Sequence, residues 1–423
     1  MHVSKASETK AYMIRTYKFR LYPSKKQEMQ MKEHLKIEKD LWNELLDANK
    51  KKYETEKRFL TKNEMHNIVK NKGLYSQTAQ ALSQRLENAL WKMIKMKKQG
   101  KKCGFPRFKS IDRMKSLYYP QFGFKLDKKL SVTPFGEINI KQHREIKGKI
   151  KTLTLKRESS GKWFAVLCVV QERQECKEFK EQKEQKSKLN NRKQDKHKEY
   201  EKQENQIGID LGLTRFATLS NGETIENPKY YKKYEERLAF LQRKLSKKKK
   251  GSKNREKAKH RVAVLHEKIA NARSDFLHKI SNKLVNSYSF IALEKLNSKE
   301  MSKRIKGQIH LGKHIIDAGW NKFANMLCYK AEEAGCKVVF VEAKNTTQEC
   351  SNCNKIVEKH LSDRIHQCPF CGLEIDRDLN AALNILIRAT RGHCGSNACG
   401  DQASTLSQDR ASMVEEAGTI CSV

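Results

Sequence analysis

The chain has 423 residues, with 88 Lys plus Arg against 49 Asp plus Glu, for a formal net charge of +39. An excess of that size calls for a polyanionic partner, and nucleic acid fits because lysine and arginine displace condensed counterions from its phosphates. A membrane surface is disfavoured: no long apolar span or lipidation signal is present, and Met1-His2-Val3-Ser4-Lys5 lacks the apolar core of a secretory signal.

The length predicts two or three domains, and 37% apolar content suffices for real cores. Residues 12–22 alternate apolar and basic side chains, the period of a half-buried strand with a basic outer face. Pro23-Ser24 then opens a helical stretch with Ser24 as its cap. From 25 to about 100 the pattern is helical, with Leu35, Trp42, Leu45 and Leu46 on one core stripe and Leu82, Leu86, Leu90 and Trp91 on another. Residues 101–109 differ, because aromatic and basic residues alternate around Gly104 and Pro106. Phe105, Arg107, Phe108 and Lys109 offer the stacking surfaces and cations that nucleic-acid contact requires. A turn whose phenylalanines pack inward is an equal alternative. Short strands follow between 116 and 170, around Leu117-Tyr118-Tyr119, Ile138-Asn139-Ile140, Leu153-Thr154-Leu155 and residues 163–170, predicting a small barrel or sandwich completed by the strand at 12–22.

Residues 171–206 are a Glu, Lys and Gln tract with few large apolar groups, so a charged linker is expected there. Beyond it, residues 206–212 read as a buried strand breaking into glycine, and 216–222 as a second strand ending in an Asn-Gly turn. Two long helices come next, marked by Leu238, Leu241 and Leu245, then by Val262, Leu265, Ile269, Phe276, Ile280 and Leu284. The run Lys247, Lys248, Lys249 and Lys250 between them is a candidate phosphate contact, weighed against a merely solvated loop. Strand and helix alternate again through 289–294, a helix around 320–334 and a strand at 337–341. The tail from about 391 reads as poorly ordered.

Twelve cysteines do not spell a disulfide framework, because four have metal-ligand spacing and the rest are scattered, which suits a reducing interior. Cys350-x-x-Cys353 and Cys368-x-x-Cys371 can close a tetrahedral four-thiolate site, the pattern of one structural zinc with no open position for substrate. Cys394 and Cys399 have the wrong spacing. Around the knot, Asp210 ends a short apolar strand, Glu294 closes another, and Asp376 and Asp378 both lie at the start of a helix. Carboxylates at such rigid positions can supply the oxygen ligands of two magnesium ions for phosphodiester hydrolysis.

These features resemble the TnpB family, RNA-guided nucleases carried by insertion sequences and relatives of miniature type V CRISPR effectors. The matching segments are 17–23, 104–109, 208–212, 271–279, 292–294, 346–353 and 368–372 running into Asp378-Leu379-Asn380-Ala381-Ala382. Thr347 stands where the family usually has serine, Asn354 where glycine commonly follows the second cysteine, and the tract 171–206 is unusually long.

The resemblance implies a multidomain α/β protein. A wedge β-barrel would hold its first strand in 1–24 and the rest in 116–170, with a helical recognition lobe at 25–115 inserted between. After the linker, a RuvC-like nuclease domain of RNase H fold would occupy 207–348 and 373–390, interrupted by a zinc ribbon at 349–372 that binds target nucleic acid. A disordered tail, 391–423, would follow. The family pattern also selects Asp378 over Asp376 beside Asp210 and Glu294 as catalytic magnesium ligands. It implies a guide RNA from the transposon end, double-stranded target DNA recognised beside a short flanking motif, and a cytoplasmic, nucleoid-associated setting in a prokaryote. One chain per RNA is expected, with a dimer as the alternative. A miniature CRISPR effector and a guided repressor that does not cut are the rival readings. An RNA-independent transposase or resolvase is more distant, since resolvases need neither a recognition lobe nor a zinc ribbon.

Overall fold

A computed structural model describes residues 12–172, 205–297, 301, 312–360 and 363–391. The chain divides into two units, 1–175 and 176–423. Most of the charged tract and the tail beyond Arg391 lie outside the described residues, as do Cys394 and Cys399.

In the first unit, β1 (Tyr12–Tyr22) buries Tyr17, Phe19 and Leu21 while Lys18 and Arg20 face outward, as a two-residue period demands. It pairs on one side with β5 (Gly136–Lys141) and on the other with β7 (Trp163–Glu172). The remaining strands are β2 (Ser116–Tyr119), β3 (Phe124–Leu126), β4 (Leu130–Val132) and β6 (Lys149–Arg157). The antiparallel order is β2-β6-β7-β1-β5-β4-β3. The Tyr119 hydroxyl on edge strand β2 donates to the carbonyl of Thr133, just past β4 near the other edge, so the sheet curls nearly into a barrel. Strand pairing also reaches into the charged tract, with Gln171 opposite Met13.

Three helices interrupt this sheet between β1 and β2. Helix α1 (Lys25–Glu56) starts at a capping box made by Ser24 and Gln27, and α2 (Lys62–Val69) starts at a second made by Thr61 and Glu64. Helix α3 (Ser76–Lys98) buries Leu82, Leu86 and Leu90. Trp91 corrects the expected stripe: it is 63% exposed, because one residue past Leu90 lies about 100° further around a helix. Residues 101–109 are strapped to α1 by Trp42 Nε1 donating to Arg107 O at 3.2 Å and by Asn43 bonding both backbone groups of Lys109.

In the second unit, β8 (Gln206–Leu211), β11 (Phe290–Glu294) and β12 (Lys337–Val341) run parallel, while β9 (Arg215–Leu219) and β10 (Thr224–Glu226) extend the sheet antiparallel, in the order β10-β9-β8-β11-β12. Its two faces carry different helices. Ile207, Ile209, Ile291, Leu293, Val338 and Phe340 share a core with the helices α5 (Lys253–Ser287), α6 (Gly312–Ala318) and α7 (Trp320–Ala334). The alternate residues Ala292, Val339 and Val341 pack against Ile385 and Ala389 of α8 (Arg377–Thr390).

Helix α4 (Tyr230–Ser246) joins α5 in a hairpin with its own small core of Leu238, Leu265 and Ile269. Arg273 on α5 donates to Asp317 on α6 at 2.6 Å, and Asp317 also accepts the N–H of Tyr231 on α4, so one half-buried ion pair ties three helices. No helix among the described residues is long and apolar enough to cross a membrane.

Candidate metal centres and the acidic site

The acidic site follows from the pleat of the sheet. Gly208 and Asp210 lie on the face of β8 that meets α8, since that face alternates with Ile207 and Ile209. A Cβ on Gly208 would overlap the Ala382 carbonyl oxygen and stand 2.9 Å from Leu386, so only glycine lets α8 approach this closely. Glu294 follows Leu293, which pairs with Ile209 in the parallel ladder, so Glu294 and Asp210 lie side by side at the C-terminal ends of adjacent strands, on the same face. Asp378 belongs to the first turn of α8.

Each acid has a distinct environment. Burial, followed by the charges of Glu294 and Asp378, pushes the Asp210 carboxyl up to about 8, against the opposing pull of Arg377. Burial also raises Glu294, opposed by a hydrogen bond from Thr346 and by the charge of Arg388. Asp378 Oδ1 accepts from two nitrogens of the Arg377 guanidinium, at 3.2 and 3.1 Å. Asp376 faces elsewhere. Its Oδ1 accepts the N–H groups of Asp378 and Leu379, capping α8, and its Oδ2 accepts from Arg215 at 3.1 Å.

The four cysteines form two matching knuckles. In the first, Cys350 N–H donates to Lys355 O and Asn354 N–H to Cys350 O; in the second, Cys368 N–H donates to Leu373 O and Gly372 N–H to Cys368 O. Each turn needs a left-handed residue after its second cysteine, and Asn354 (φ 59°) and Gly372 (φ 75°) supply it. Asparagine, among the non-glycine residues that most readily adopt that conformation, therefore replaces glycine in the first knuckle. Sγ atoms of Cys350 and Cys371, and of Cys353 and Cys368, stand 3.6 Å apart. A tetrahedral ion with 2.3 Å metal–sulfur bonds has edges of about 3.8 Å, so the cage fits zinc. The Leu373 N–H and the Asn352 side chain pull the Cys371 thiol down to about 6, whereas, against the Lys355 N–H, burial and the other three cysteines push Cys353 up to about 12. Among the described residues these cysteines are the one set of three or more potential ligands whose donor atoms lie within 4.8 Å of one another. The three carboxylates form no such set.

The second knuckle joins the two strands of a hairpin, β13 (Ile365–Gln367) and β14 (Glu374–Asp376), and β14 runs directly into α8. The sequence did not reveal what holds the first knuckle. Asn380 accepts from Ser351 N–H at 3.0 Å and donates to Glu349 O at 2.7 Å; Asn384 donates to the carbonyls of Thr346 and Glu349. Arg388 donates to Glu342 O, Lys344 O and the Glu349 carboxylate. These residues recur every four positions along one face of α8. Two asparagines that close in an apolar helix are the signal that could have found them, because a buried amide demands partners.

The candidate nucleic-acid contacts divide. Phe105 packs edge-on against Tyr53 and Phe59, beside the core of the first unit. Phe108 is 48% exposed with Lys50 over its ring, Arg107 is exposed, and Lys109 lies 3.6 Å from the centroid of Trp42. Lys247, Lys248, Lys249 and Lys250 are all exposed between α4 and α5.

Three family profiles match the chain: "Probable transposase" at residues 184–304, "Cas12f1-like, TNB domain" at 320–385 and "Helix-turn-helix domain" at 13–58. In the structure, 13–58 comprise most of β1 and the unbroken helix α1, with no turn inside the helix. The chain is 28% identical over 430 aligned positions to "Putative RNA-guided DNA endonuclease InsQ" of Escherichia coli (strain K12), covering 95% of this chain and 98% of that one. It is 39% identical over 197 positions to "Putative RNA-guided DNA endonuclease" of Streptomyces pristinaespiralis, and 33% identical over 198 to "TnpB-like protein L79" of Acanthamoeba polyphaga mimivirus. The latter two alignments span 47% and 37% of those proteins. Profiles from both halves of the molecule and a relative aligned over 95% of this chain agree in a likeness to proteins of the TnpB kind.

Proposed function

We propose that the chain is an RNA-guided DNA endonuclease of an insertion sequence, with a RuvC-like catalytic domain. The observation that carries this reading is the placement of Asp210, Glu294 and the start of α8 on one face of a mixed sheet, so that Asp210 feels both other acids. Asp210, Glu294 and Asp378 would hold two magnesium ions, which when bound activate water and stabilise the leaving oxygen of a phosphodiester. The donor set suits such hard cations, being all carboxylate oxygen. Asp376 caps α8, and Asp378 in its first turn would be the third ligand.

The zinc knuckles would bind one structural zinc and, as a ribbon, contact target DNA. Sequence would be read by base pairing between guide RNA and target strand, with the protein reading a short flanking motif and the shape of the duplex. The +39 charge supports this reading, since phosphates are its natural counterions.

The test is to purify the protein expressed from its native locus, sequence the RNA that copurifies, and challenge the complex with matching DNA in the presence and absence of Mg2+. Cleavage that depends on Mg2+, on the RNA match and on Asp210 supports the proposal. Guided binding without cleavage would identify a repressor instead.

A further inference from the structure

The hydroxyl of Thr346 donates to Glu294 Oε1 across a sequence separation of 52 residues, in a fully buried contact. The same hydroxyl lies 3.3 Å from Ala343 O, but it has one hydrogen, and the shorter contact is to the carboxylate. Thr346 itself is held firmly. It is 2% exposed, it follows Asn345 in a left-handed turn at φ 61°, and its carbonyl accepts from Asn384 at 2.9 Å. Asn384 sits on α8, the helix whose first turn carries Asp378. An unbroken chain of contacts thus runs from Asp378 along α8 to Asn384, then to Thr346 and Glu294. The same asparagine also holds Glu349 O, immediately before Cys350.

We infer that Thr346 is a positioning residue for Glu294. It engages one carboxylate oxygen so that the other remains directed toward the site, and it ties the acid on β11 to the helix that carries Asp378. The inference rests on the reading of these acids as cation ligands. Outer partners that orient a ligating carboxylate typically change metal affinity by about 10- to 100-fold when removed. Thr346 contacts no reacting group, so its effect must appear in how well the acids hold a cation.

The experiment uses the full chain, zinc-loaded and freed of nucleic acid because phosphates bind Mn2+ themselves. Mn2+ is titrated by calorimetry into the wild type, Glu294→Gln and three Thr346 variants. Thr346→Val keeps the shape and deletes the hydroxyl, and Thr346→Ser keeps the hydroxyl and deletes the methyl. Comparing Thr346→Ser with Thr346→Ala isolates the hydroxyl again should the valine variant fold poorly. The expected result is Mn2+ affinity about tenfold weaker in Thr346→Val and Thr346→Ala, near wild type in Thr346→Ser, with zinc content unchanged. Wild-type affinity in both hydroxyl-free variants, or equal weakness in Thr346→Ser, overturns the inference while leaving the cation reading intact. Loss of zinc alongside Mn2+ assigns the effect to the cysteine knot and also overturns it. A wild type with no Mn2+ site sensitive to Glu294→Gln defeats the cation reading itself.

Discussion

Asp376 Oδ1 accepts the backbone N–H of Asp378 at 2.8 Å, so one acid of the Asp-Arg-Asp triplet serves as the cap of the turn that presents the other. Two carboxylates that look equivalent in the sequence thereby have different partners. Asp378→Ala should abolish cleavage with guided binding retained. Asp376→Ala should cost about 1 kcal/mol of stability for the lost cap, and little more for its half-exposed ion pair with Arg215. Cleavage rates and thermal melts of the two variants check this; the opposite ranking for cleavage would reverse the assignment.

Gly208→Ala gives a purely steric test. The added methyl would meet backbone on α8, not a flexible side-chain tip, so the helix must shift. We expect about 1–3 kcal/mol of destabilisation by overpacking. Cleavage should fall further than stability predicts, because the same helix carries Asp378. Retention of full activity would show that the close approach of α8 is dispensable.

The cysteine cage predicts about one zinc per chain by elemental analysis. Cys350→Ser or Cys371→Ser should release it and lower cleavage while the first unit stays folded, as read by separate melting transitions. Normal cutting by a zinc-free preparation would remove the knot from the catalytic argument.

Glu38, in the first unit, provides a pH test of its own. It is buried in α1 with Arg85 donating to it at 3.0 Å, and burial raises its carboxyl to about 7 despite the charges of Arg85 and Lys109. The folded state therefore holds a proton that the unfolded chain releases near 4.5. Stability from this group is fully present below about 4.5 and is lost as pH rises toward about 7, at on the order of 1 kcal/mol per pH unit. Denaturant titrations across that window should show this slope in the wild type and a flatter profile in Glu38→Gln.

The exposed lysines between α4 and α5 are tested by salt. Replacing Lys247, Lys248, Lys249 and Lys250 with Ala should weaken nucleic-acid binding without regard to sequence. The log–log salt slope should shrink by up to about one unit for each phosphate that a lysine no longer neutralises. An unchanged slope would leave the run as a solvated turn.

Much of the second unit was legible because its strands are short apolar runs whose ends carry the acids. Asp210 and Glu294 could be placed at strand ends from local sequence alone, and the two Cys-x-x-Cys pairs declare their own geometry. What escaped the sequence depends on partners distant along the chain. Nothing near Thr346 announces Asn384, 38 residues away, and nothing near Gly208 announces the carbonyl of Ala382. The basic-aromatic loop was ambiguous for a related reason: Phe105 turns inward because α1 and the turn after it offer Tyr53 and Phe59, whereas Phe108, three residues on, has no such receptacle. Strands β3 and β4 span three residues each, too short for a periodic signal. Trp91 falls outside the stripe of its neighbour Leu90 because adjacency along a helix is not membership of the same face.

The pairing of β1 with β7 sets a timetable for synthesis. Met13 meets Gln171 and Leu21 meets Trp163, so β1 waits for partners encoded about 150 residues later. At about 5–20 residues per second, that wait lasts roughly 8–30 s on the ribosome. Helices α1, α2 and α3 emerge in the interval and can pack through local contacts, while β1 keeps an apolar face and unpaired backbone groups. Its outward Lys18 and Arg20 discourage nascent copies from pairing edge to edge during that period. The residues that give the mature strand its basic face thus also protect the unfinished one.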